Sequence, residues 1–135
     1  MLFRSGLAPP DPALWQRRAE WFWRAQDVNA GPQPLDLDPQ ATVLLGELEV
    51  VYCAGAWAAV VILAWTLVEA ALRRAGDDAQ PTSDVDWLRE QRNGLVHINS
   101  AGEVPDDAGM EALAQGALRV AFKTLYAAAW IGGGR

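Results

Sequence analysis

The chain has 135 residues, enough for one domain with one core but not for two comfortable ones. It is 51% apolar and 21% charged, a balance that excludes a disordered or low-complexity chain. A formal net charge of −6 with a single lysine, Lys123, excludes a protein that coats nucleic acid through a broad basic face, while leaving room for a local basic cleft.

Alanine fills 24 positions and Ile and Thr are scarce, so the composition leans toward helix. Breakers divide the chain into four predicted helices after an N-terminal arm of residues 1–10. Asp11-Pro12 supplies an N-cap acceptor and a proline at the first helical position, predicting a first helix over about Pro12–Asp27. The same device at Asp38-Pro39 opens a second segment that continues to Arg74 and stops at Gly76, with Arg73 and Arg74 suiting the negative end of its dipole. At about 1.5 Å per residue it would reach about 50 Å. Such a length in a small domain predicts a kink or break near Gly46 or Gly55.

Ser83 and Asp86 have the spacing of a capping box and open a third predicted helix, ending near Asn99. Asp106 caps a fourth, with Met110, Leu113, Ala117, Ala121 and Leu125 as its apolar stripe. The glycine-rich residues 132–135 read as a flexible tail. The expected fold class is therefore all-α, a single-domain four-helix up-and-down bundle with a long second helix.

Within that second helix, Val50–Val68 is a run of 19 uncharged residues between Glu49 and Glu69. Its length can span a bilayer. Against a span stand Gly55, Thr66 and many alanines, the lack of a Lys/Arg cluster outside Glu49, and the lack of a second run. A central helix that is apolar on nearly all sides instead implies burial against its own bundle and against a second subunit. The lone Cys53 excludes a disulfide framework, and the lone His97 excludes zinc sites needing two histidines from one chain. The N-terminal residues lack the apolar core of a secretory signal. A cytoplasmic protein with no membrane span, metal or cofactor is the expectation.

The segment from Arg92 to His97 carries the most chemistry. Val85, Leu88, Arg92 and Leu95 form one helical stripe, which sets Arg92 at the edge of a packing face. Asn93 and His97 are four apart, close enough for the amide to orient the imidazole. A guanidinium can grip two phosphate oxygens and an imidazole titrates near neutral pH, a pairing suited to phosphodiester chemistry. The spacing fits equally a partly exposed helix-end histidine contacting a carbonyl or Glu90. Glu69 either pairs with Arg92 or His97, or is a helix-end carboxylate paired with Arg73. The tryptophans divide between core packing and base stacking, with Trp21 and Trp87 as stacking candidates. Arg17, Arg18 and Arg24 form either a small basic strip for RNA or a solvated face.

Arg92-Asn93 followed by His97, at the end of the third helix and after the alanine-rich stretch Ala54–Arg74 that ends in Glu69-Ala-Ala-Leu-Arg, resembles the HEPN superfamily, over roughly residues 47–126. The resemblance implies a metal-independent endoribonuclease acting as a homodimer, with two Arg–His motifs facing one cleft. Arg92 would bind the scissile phosphate, His97 would act as base or acid, and Asn93 would orient it; the products would be a 2′,3′-cyclic phosphate and a 5′-hydroxyl. RNA, not DNA, is the implied partner, with an antitoxin or a defence complex beside it. The role implied is a toxin or antiviral defence effector. The alternative within the superfamily is a non-catalytic nucleotide-binding, RNA-binding or assembly module. One departure stands: members modified by a nucleotidyltransferase antitoxin carry Tyr two residues after the histidine, where this chain has Asn99.

Overall fold

The computed structural model describes residues 9–31, 37–76, 82–97 and 105–133, with side chains as far as Ala127. Most of the N-terminal arm, Asn99 and residues 134–135 lie outside the described residues, as does the side chain of Trp130. Those described form five helices: α1 Pro12–Ala30, α2 Pro39–Cys53, α3 Trp57–Ala75, α4 Ser83–Val96 and α5 Asp107–Gly133. No strand occurs among them, so the described fold is all-helical.

The aspartate caps form where the sequence places them. Asp11 accepts from the Leu14 N–H at 2.8 Å, Asp38 from Ala41 at 2.7 Å and Asp106 from Gly109 at 2.8 Å. Each satisfies one of the donors left open by the first helical turn. The cap of α4 is Thr82, not Ser83: its hydroxyl accepts from Val85 at 3.2 Å, one residue earlier than the capping-box pattern suggested. Two helix ends also differ from expectation. The first helix runs three residues past Asp27 to Ala30, and α5 continues through Gly132 and Gly133.

The long second segment breaks at Gly55, so it is two helices. The Gly55 N–H bonds the Tyr52 carbonyl at 3.0 Å and the Ala56 N–H bonds the Val51 carbonyl at 2.9 Å. This paired closure requires a left-handed residue at its centre, and Gly55 supplies it with φ +78°. The uncharged run is thereby divided between the end of α2 and the first two-thirds of α3. Among the described residues, no helix is long and apolar enough to cross a membrane.

The core sits around α3, which packs most extensively against α5 and also touches α2 and α4. Val60, Val61, Ala64, Leu67 and Val68 are fully enclosed, as are Ala114, Ala117, Leu118, Ala121 and Phe122 of α5. Alanines at these positions let two helix backbones approach closely, since interaxial distance follows side-chain size. The predicted α5 stripe is realised at Met110, Ala117, Ala121 and Leu125, with Leu113 half-buried against the same core.

Polar bonds tie α1 and α2 to α5, and add a link between α3 and α5. Gln26 donates to the Tyr126 hydroxyl at 2.7 Å, Gln115 to the Tyr52 hydroxyl at 2.9 Å and the Trp57 indole to Asp107 at 3.0 Å. Burial pushes the Tyr52 phenol and the Cys53 thiol above their ordinary pKa values. Cys53 is thus a packed thiol, not an activated nucleophile.

Candidate functional site

Val85 and Leu88 bury α4 against the bundle, and the stripe they begin continues through Arg92 and Leu95, both half-buried. Arg92 therefore lies where the packing face meets solvent. Its guanidinium carbon stands 5.7 Å from the centre of the Trp65 ring on α3, within range of a cation–π contact. Its Nε is covered and makes no hydrogen bond, and the same holds for the Trp65 indole nitrogen. Among the described residues Arg92 has no carboxylate partner, whereas Arg73, Arg74, Arg89 and Lys123 each pair with one.

His97 follows directly after α4, in extended conformation (φ −103°, ψ 129°), and is exposed. Its main-chain N–H bonds the Asn93 carbonyl at 3.1 Å, so the link between these two residues is a backbone one. Asn93 is half-buried, and its side chain makes no hydrogen bond to the imidazole among the described residues. Four residues lie between Arg92 and His97, and α4 ends at the last of them, Val96.

Glu69 lies one turn beyond Trp65 on α3, and residues four apart share a face. Its ion pair is with Arg73, at 3.5 Å, the helix-end alternative that the sequence left open. Arg92 and Asn93 thus lie in the last turn and a half of α4 and His97 directly after it, linked to Asn93 by the main chain, and Trp65 lies against the arginine. Glu69 stands on the Trp65 face but is engaged elsewhere.

Of the stacking candidates, Trp21 is half-buried, stacked on Tyr52 at 5.1 Å, with the Arg119 guanidinium carbon 5.3 Å from its ring centre. Trp87 is half-buried against α5, where a Cβ at Gly116 would come within 2.9 Å of its ring. Both rings serve packing. The more exposed tryptophans are Trp15 and Trp23, and Trp23 donates to Glu49 at 2.7 Å. Arg18 leaves the supposed basic strip altogether: it lies 4.8 Å over the Trp57 ring and donates to the Cys53 carbonyl at 3.1 Å. Arg17 and Arg24 are exposed.

The residue that sequence reasoning missed is Trp65, assigned there to packing or stacking with the other tryptophans. Its available signal was position, one helical turn before Glu69. That it meets α4 at Arg92 is a tertiary fact.

Compared with known proteins, the chain matches no family model, no curated protein and no solved structure.

Proposed function

We propose that this protein is a metal-independent endoribonuclease of HEPN type, acting as a toxin or phage-defence effector at a site shared by two copies of the chain. The observation that carries this reading is a guanidinium with no carboxylate partner among the described residues, followed five residues later by the chain's single, exposed imidazole. That pairing is the Arg-x4-His motif by which the sequence resembles the superfamily.

In the proposed reaction, Arg92 binds the non-bridging oxygens of one phosphodiester and stabilises the charge that develops on them. His97 takes the proton of the adjacent ribose 2′-hydroxyl. The 2′ oxygen then forms a bond to phosphorus as the bond to the 5′ oxygen breaks. A second imidazole, from the other copy, gives its proton to the departing 5′ oxygen. The products are a 2′,3′-cyclic phosphate and a 5′-hydroxyl. One imidazole cannot hold both protonation states at once, which is the chemical reason for two chains.

The test is cleavage of single-stranded RNA in EDTA by the wild type, Arg92→Ala and His97→Ala. Each variant should lose about 10²-fold or more, the scale of a general acid–base or oxyanion contribution. Wild-type activity in His97→Ala removes His97 from the mechanism. A second reading is a non-catalytic nucleotide-binding, RNA-binding or assembly module; the lack of a side-chain bond from Asn93 to His97, which the catalytic reading expects to orient the imidazole, favours it. That reading expects RNA binding without cleavage, and binding that survives His97→Ala.

A further inference from the structure

The contact between Arg92 and Trp65 extends the proposed site to a second helix, and the inference rests on Arg92 being the phosphate ligand. The chain itself provides the contrast. Arg18 lies on the face of Trp57 and also donates to a carbonyl, so its charge is placed and partly spent. Arg92 lies on the face of Trp65 and, among the described residues, donates to nothing. Glu69, on the Trp65 face of α3, pairs with Arg73.

An aromatic face attracts a guanidinium without using any of its N–H donors, since the attraction comes from the ring quadrupole. A carboxylate in the same place would occupy two donors and oppose the arrival of an anion. Trp65 is 8% exposed, so its ring is fixed by the core and can hold whatever lies on it. The arrangement leaves two covered donors, Arg92 Nε and Trp65 Nε1, without acceptors. The Nε of Arg18 is covered and unpaired as well, so what separates the two arginines is the Cys53 carbonyl that Arg18 holds and for which Arg92 has no counterpart among the described residues.

We propose that Trp65 is a positioning residue: its ring face holds the Arg92 guanidinium at the end of α4 with the terminal nitrogens left to grip a phosphodiester. The ring face, not the indole N–H, is the working part.

The experiment measures binding of a 2′-O-methyl oligoribonucleotide, which cannot be cleaved, alongside cleavage of the unmodified RNA, at a temperature where circular dichroism shows each variant folded. Trp65→Phe keeps an aromatic face and should stay within about threefold of wild type in both assays. Trp65→Leu should weaken binding at least fivefold and lower cleavage at least tenfold. In the Arg92→Ala background the same substitution should change binding less than twofold, because nothing remains to position. Equal losses in the Phe and Leu variants, or a Trp65→Leu effect that persists without Arg92, overturns the proposal.

Should Trp65→Leu not fold, the wild type alone decides. The Arg92 Nε–H resonance, assigned by its loss in Arg92→Ala, should be shifted upfield by the ring and should move when the oligonucleotide is added. A resonance at the ordinary position, or one indifferent to the oligonucleotide, overturns the proposal. If the wild type binds with this Arg92–Trp65 dependence but never cleaves, the ribonuclease reading fails and the positioning role stands.

Discussion

At the scale of single residues, two arginine–tryptophan pairs do different work. Arg18 closes the junction of α2 and α3: it lies on Trp57, bonds the last carbonyl of α2 and approaches Gly55 so closely that a Cβ there would sit 3.0 Å from its Nη1. Gly55→Ala should therefore cost about 1–2 kcal/mol, from the left-handed backbone and the crowded guanidinium together, measured as a shift in the denaturant midpoint. An unchanged midpoint would mean that the junction adapts. Arg92 has the ring without the carbonyl and is left with its charge available. The Arg92–Asn93–His97 spacing was legible in the sequence because one helix carries it. The partner ring was not, because Trp65 is 27 positions earlier, on another helix.

At the scale of elements, the helix starts were written locally. An aspartate or threonine accepts an N–H three residues on, and a proline follows the aspartate at α1 and α2. Asp38 does more than cap. The Ala41 N–H holds its carboxyl below the ordinary value against the opposing effect of burial, and Arg74 at the end of α3 adds to the lowering. A depressed folded pKa stabilises above the ordinary carboxylate pKa, and that stabilisation is lost as pH falls through the folded value. Asp38→Ala should cost about 1 kcal/mol at pH 7. Asp38→Asn, which can still cap, should cost less, and its deficit should close below about pH 4 when denaturation is followed across pH. A deficit constant from pH 7 to pH 3 would rule out the charge. Helix ends were less legible than starts: α1 and α5 outrun their predicted limits because packing can carry a helix past weak stop signals.

At the scale of the whole molecule, α2 is buried on one side through Leu45, Leu48 and Tyr52 while Val43 and Val50 are exposed on the other. Around Gly46 that outer side forms a shallow groove lined by Thr42, Val43, Glu47, Val50 and Val51. The proposed reaction needs two copies, so light scattering at micromolar concentration should give twice the 14.6 kDa of the chain. A monomer at concentrations where RNA is cleaved would refute the shared site. The apolar run from Val50 to Val68 first suggested one helix with apolar surface to spare. Its division at Gly55 moves much of that surface into the core as α3, so the argument for a second copy now rests on the chemistry of a single imidazole.

The sequence by itself determined the helical class, three of the four side-chain N-caps described, the division of the chain at its glycines and prolines, and the Arg92–His97 spacing. These follow from short-range physics, since caps, turns and helical stripes involve residues a few positions apart. Tertiary structure alone decided that Arg18 leaves the surface for Cys53, that Trp21 and Trp87 are packed, and that Trp65 underlies Arg92. Each joins or separates groups by where helices cross or side chains settle. Such choices depend on the core as a whole, because an arginine takes whichever acceptor or ring the packing leaves within its reach.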